Sequence, residues 1–143
     1  MSAKGVEIAD AFVRDCQAAT WSQPCDFERR YLAIENVDNL ERVLVQIAYA
    51  GQRMQASSRA SWIHLYDIDV AVMRKLQSDD NHEADRYSTL LDEIVDDWKY
   101  NAPTGTGAVM TAAEWLRPYV PEHLQNQRTF TGVVRMTFRL ART

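Results

Sequence analysis

The longest strand signal in the chain runs from Ser61 to Lys75, and it decides what the rest can fold around. One face would carry Trp62, His64, Tyr66, Ile68, Val70 and Val72, and the other Ile63, Leu65, Asp67, Asp69, Ala71 and Met73. Side chains alternate across a strand, so a face this uniformly large has to be buried, and the Trp62 side is expected in the core. The opposite side turns acidic midway, which suits solvent or a polar partner. A strand with one wet face calls for an antiparallel-rich sheet covered by helices on one side.

The flanking sequence supplies the other elements. Ile8, Phe12, Cys16 and Ala19 fall at helical spacing, with Ala9 and Val13 widening the stripe, so a helix is predicted over Val6 to Ala19. It should stop before Pro24, with Trp21 plugging the turn. Strands are predicted over Phe27 to Ile34 and Arg42 to Tyr49, with turn chemistry at Asn36 to Asn39 between them. Ala50 to Ala60 shows no clear period and reads as a connection longer than ordinary hairpin loops. Ser78-Asp79-Asp80-Asn81 caps a second helix whose apolar stripe is Tyr87, Leu90, Leu91, Ile94, Val95 and Trp98. Asn101 to Gly107 reads as a flexible loop. A weaker strand follows over Ala108 to Trp115, then one helical turn at Pro121 to Gln125, then a strand from about Arg128 to Arg142. The expected fold is α+β (α/β sandwich-like). A mixed, mostly antiparallel sheet of about five strands carries two main helices on one face, in the order α-β-β-β-α-β-β.

At 143 residues, 46% hydrophobic and 25% charged, the chain reads as a single globular domain over 1–143. No apolar run approaches the roughly 18 residues that cross a bilayer. Met1 to Gly5 lacks the apolar core of a signal peptide, so the expectation is a product of the cytoplasm, or of something assembled there. Cys16 and Cys25 are too few and too irregularly spaced for a disulfide framework, and Cys16 is expected buried on the first helix. A net charge of −4 with acids and bases interleaved argues against tight, sequence-independent DNA binding, which needs clustered Lys and Arg.

Four constellations could carry chemistry. Asp67 and Asp69 lie about 7 Å apart on one side of the same strand, the kind of pair used in acid–base or metal chemistry. An arginine or lysine on a wet sheet face accounts for them equally, and the sequence supplies no nucleophile, second acid or positioned histidine to join them. Asp79, Asp80, His82, Glu83 and Asp85 match neither an EF-hand nor an HExxH spacing, and helix-start chemistry explains each acid. His64 points to the core side and His123 lies in a turn. Gly105-Thr106-Gly107 is no phosphate loop by itself. No enzyme, cofactor or metal is expected.

The remaining signal is one of order and spacing. It runs through the N-terminal helix with the Pro24-Cys25-Asp26-Phe27 turn, the Ala60-Ser61-Trp62 entry to a strand containing Tyr66-Asp67-Ile68-Asp69-Val70-Ala71-Val72, and the Leu90-Leu91-Asp92-Glu93-Ile94 helix. It closes with Tyr119-Val120-Pro121-Glu122-His123-Leu124 ahead of Phe130 to Arg139. In this the chain resembles the tail terminator (tail completion) proteins of long-tailed bacteriophages. The resemblance implies a virion subunit, made in the host cytoplasm, whose state before assembly, monomer or ring, is left open. In the tail it forms a homohexameric ring on the head-proximal end of the tail tube. The ring stops tube polymerisation and offers a surface to the head-side connector protein, while DNA passes through its lumen without specific binding.

Candidate interface residues follow. Family loops between strands reach toward the tube or lumen, and here the matching segments are Gly51 to Ala60, with Arg53 and Arg59, and Asn101 to Gly107. The last strand's polar face (Thr129, Thr131, Arg135, Thr137, Arg139) carries charge opposite to Asp67 and Asp69. Pairing of Arg135 and Arg139 with those acids, within or between subunits, is therefore expected. Other readings are a head-tail neck or stopper subunit, a small dimeric α+β ligand-binding module, or a hydrolase or metal-dependent protein centred on Asp67 and Asp69.

Overall fold

A computed structural model of the chain describes residues 3–31, 42–78 and 81–142. In chain order the elements are α1 (Lys4–Ala18), β1 (Cys25–Arg29), β2 (Val43–Ala56), β3 (Trp62–Lys75), α2 (Asn81–Trp98), β4 (Val109–Arg117), α3 (Pro121–Gln127) and β5 (Thr129–Arg142). The five strands form one mixed sheet in the order β1-β2-β3-β5-β4. β1 runs parallel to β2, and every other neighbouring pair is antiparallel.

One face of the sheet supplies Val45, Ile47, Tyr66, Ile68, Val70, Val72, Val134, Met136 and Phe138 to a single apolar cluster. Ile8, Ala9, Phe12 and Cys16 of α1 join it, as does the whole predicted stripe of α2. Phe12 meets Trp98 at 4.6 Å between ring centroids and Phe138 edge-on at 6.0 Å, so one aromatic triad ties α1, α2 and β5 together. Each side chain buried this fully contributes about 1.5–3 kcal/mol relative to exposure. α1 ends one residue earlier than its stripe suggested, and Ala19 is exposed in extended backbone. Trp21 Nε1 donates to the Cys16 carbonyl at 2.9 Å, taking up one of the acceptors that a helix end leaves open.

Several expectations need correction. The segment Gly51 to Ala60 is not a loop: β2 continues to Ala56, and only residues 57–61 turn. The cause is a bulge between Tyr49 and Gly51, which shifts the register against β3. Before it Val43, Val45 and Ile47 face the core. After it Gln52, Met54 and Ala56 hold that side, while Gly51, Arg53 and Gln55 turn to the other. Past the bulge both sides of β2 are exposed and mostly polar, so the apolar alternation that marks a strand ends there. The core face of β3 was expected to include Trp62 and His64, yet Trp62 is 43% exposed. The ends of β2, β3 and β5 run beyond the covered area as a three-stranded arm, with Trp62 paired to both Ala56 and Arg142.

β1 ends at Arg29 rather than Ile34, and Leu32, Ala33, Ile34 and the Asn36 to Asn39 turn lie outside the described residues. So do the capping residues Asp79 and Asp80. A third helix stands between β4 and β5, where a single turn was expected. Pro121 begins it, where its missing N–H is no loss, and Arg128 closes it in left-handed backbone at φ 51°. His123 of α3 is half-buried and shares a 2.8 Å hydrogen bond with Thr131 Oγ1. Thr129 and Thr131 are buried, so the polar face of β5 reaches solvent only further along. The loop at Asn101 to Gly107 is anchored through Thr104, whose backbone N–H and Oγ1 both donate to Asp15 Oδ2.

Candidate interface site

The second face of the sheet holds the charged residues singled out from sequence, and strand register explains how they meet. Across neighbouring strands one row reads Ala48, Asp69, Arg135, Glu114, and the next reads Gly51, Asp67, Thr137, Ala112. Asp69 and Arg135 are therefore direct cross-strand partners. Arg135 Nε donates to Asp69 Oδ1 at 2.8 Å and Nη2 to Oδ2 at 3.0 Å, a two-pronged pairing that suits the planar guanidinium. Those hydrogen bonds, reinforced by the charges of Asp69, Asp67 and Glu114, raise the Arg135 guanidinium above its ordinary value, so it stays a cation.

Asp67 is 5% exposed, far more buried than a solvent-facing acid. Thr137 Oγ1 donates to its Oδ1 at 2.9 Å. Arg53 reaches diagonally from two residues beyond Gly51, and its Nη1 donates to Oδ2 at 2.6 Å. Gly51 stands directly beside Asp67 and puts no side chain across that path. The bulge is what makes this possible, because without the phase change Arg53 would point to the other face. A small cavity of about 190 Å³ opens beside Arg53, Asp67, Glu114 and Arg135.

Chemically this is a charge ladder. Each oxygen of each aspartate accepts a hydrogen bond from a fixed donor within the sheet. Among the described residues no group of three His, Cys, Asp or Glu side chains is arranged to hold a metal. Cross-strand opposite charges contribute about 0.2–1 kcal/mol per pair, so the ladder's main effect is to pin the register of β2, β3 and β5.

Of the six residues expected at an interface, the structure brings Arg53, Asp67, Asp69 and Arg135 together within one subunit. It leaves two apart. Arg139 is exposed across from Leu65 and Val109, and Arg59 is exposed at the hairpin tip. Neither makes an ion pair among the described residues. Thr137 and Glu114 were missed as ladder members, since their roles depend on pairing between strands far apart in sequence.

Two further surfaces stand out. Met54, at 59% exposure, and Trp62 lie on the arm. Trp115, Leu116 and Tyr119 form an exposed apolar strip at and just past the end of β4, the outermost strand on its side. Beside that strip a cavity of about 390 Å³ lies between α2 and β4, lined by Val95, Lys99, Tyr100, Met110 and Trp115. The aromatic character of Trp115 to Tyr119 was legible in the sequence; its position on an open sheet edge was not. No family model matches the chain, and no curated protein matches it either.

Proposed function

We propose that the chain is a structural subunit of the bacteriophage tail terminator class, assembling as a homohexameric ring on the head-proximal end of the tail tube. There it stops tube polymerisation and presents the surface to which the head-side connector binds. In that subunit α1 and α2 are the two main helices packed on the sheet, and α3 is a short addition before the last strand.

One observation carries the reading: the subunit has two unlike exposed surfaces on opposite parts of the same sheet. Trp62 pairs with Arg142 at the arm end of β5, while Trp115 pairs with Val134. Eight residues of strand separate those positions, roughly 26 Å at strand rise. A ring is closed by one heterologous contact repeated around an axis, and such a contact needs two different patches on each copy. The order of elements that resembles the family, and a ladder that satisfies the central acids internally, point the same way.

The test is tube capping. Tail tube protein from the same genetic element is polymerised with and without the purified chain and imaged by negative stain. Tubes that stop growing and carry a ring at one end are expected. Tubes of unchanged length with no added density would sink the proposal.

A further inference from the structure

Charge along this chain is sorted by place, and the sorting is hidden in the net figure. Residues 51–65 and 139–142 form the arm; they hold Arg53, Arg59, Arg139 and Arg142 and no acid. The other residues hold the remaining 12 basic and all 20 acidic side chains, so an arm of +4 projects from a body of −8. Arg53 is neutralised by Asp67. Arg59, Arg139 and Arg142 are exposed with no ion pair among the described residues, and Arg142 Nη1 donates to the Tyr66 hydroxyl at 3.2 Å.

Among the described residues, negative charge is concentrated on α2. That helix carries Glu83, Asp85, Asp92, Glu93, Asp96 and Asp97 against Arg86 alone. Asp96 is matched by Lys99 at 2.8 Å, and Glu93 accepts the backbone N–H of Ser22 at 2.9 Å. Asp92 and Asp97 are exposed and make no ion pair among the described residues. Asp97 also sits in the last turn, where the helix end is already negative and no basic residue offsets it. These carboxylates border a groove of about 540 Å³ with Trp21 at its side. An arginine entering it would find carboxylates for its donors and an indole for its flat face.

We infer that the arm docks in this groove on a second copy of the chain, with Arg59 and Arg142 meeting Asp92 and Asp97 of the neighbour. The inference rests on the ring reading and names a contact between neighbouring copies in which the arm meets the α2 groove rather than the Trp115 strip, which is left for the tube or the connector. Among the described residues no arm arginine pairs with an acid of α2 within one protomer, which leaves both surfaces open to a second copy. It is head-to-tail, since arm and groove are different surfaces. Met54 and Trp62 on the arm add apolar area to the contact. DNA is the less fitting occupant: a body of −8 repels phosphate, and DNA would leave the acids of α2 unanswered.

The experiment is a charge swap read by sedimentation velocity. Wild type is expected to self-associate at low ionic strength and to dissociate at about 0.5 M salt, where screening reaches within a few ångströms. Arg59→Glu/Arg142→Glu and Asp92→Lys/Asp97→Lys change exposed residues only, and circular dichroism checks that both variants fold. Each alone is expected to associate roughly tenfold more weakly or worse, and their equimolar mixture to regain association, because each variant's arm then fits the other's groove. Wild type that stays monomeric to about millimolar concentration at that low ionic strength, variants that assemble like wild type, or a mixture that does not recover would each overturn the inference. So would an arm variant that loses binding to a labelled DNA duplex while self-associating normally. Rings that persist in the variants remove this contact and leave the terminator reading intact; a wild type that fails to cap tubes removes the reading itself.

Discussion

Gly132 offers a test in which two physical effects predict opposite signs. It lies inside β5, paired with Val72 of β3. Glycine in a strand interior costs about 0.5–1 kcal/mol relative to alanine, because the unfolded chain loses more freedom on folding, so propensity alone predicts that Gly132→Ala stabilises the protein. Packing predicts the reverse. A Cβ at this position would stand 2.8 Å from the Pro118 carbonyl oxygen and 3.2 Å from both Leu91 Cδ2 and Phe130 Cε1. The two side-chain contacts can yield by a few tenths of an ångström. The carbonyl cannot swing aside cheaply, because Arg117 is held in register against Val133 and Val120 already begins the turn into α3. Overpacking of this kind costs about 1–3 kcal/mol, which outweighs the propensity gain and leaves a net loss of about 1–2 kcal/mol. For a chain of this size that lowers Tm by roughly 3–8 °C. Thermal and urea melts of G132A are to be compared with G51A, where the new Cβ meets only Asp67 Oδ2 at an ordinary 3.7 Å. G51A should stay within about 0.5 kcal/mol of wild type. If G132A melts with or above G51A, the close approach of the Pro118 carbonyl does not hold and the reasoning fails.

Two other outcomes follow from the ladder and the core. Arg135→Glu sets a third carboxylate against Asp69 and Glu114 and should cost about 1–3 kcal/mol in urea unfolding, whereas Arg139→Glu should stay within about 0.5 kcal/mol. Equal effects would show that the Asp69 pairing is not made within the subunit. Burial pushes the Cys16 thiol up to about 12 and the Cys25 thiol up to about 11, so the neutral thiols belong to the folded state. Their contribution to stability is complete below the ordinary value of 9.0 and is lost as pH climbs through 11 and 12. Slow labelling by a thiol reagent at neutral pH, with urea midpoints falling only above pH 9.0, is the expected pattern. Fast stoichiometric labelling of the folded protein would contradict it.

The sequence by itself determined the elements whose signal is local and repeated. The stripe of α2 needs only the helical period and six large residues to be recognised, and all six are buried. The inner half of β3 needs only alternation, and Tyr66, Ile68, Val70 and Val72 are fully buried. Cys16 went to the core because its neighbours at helical spacing did.

Tertiary structure decided the rest. Trp62 shares its face with Tyr66 yet lies exposed, since burial depends on where the helices end and alternation carries no record of that. The strand from Gly51 to Ala56 carries no apolar alternation because both its sides are exposed, and only its pairing with β3 past the bulge makes it a strand. Asp67 and Asp69 looked alike at two-residue spacing. They became different when register set Thr137 beside one and Arg135 beside the other, from a strand 66 and 70 residues away in the chain. Periodicity records which way a side chain points; only the sheet records what it points at.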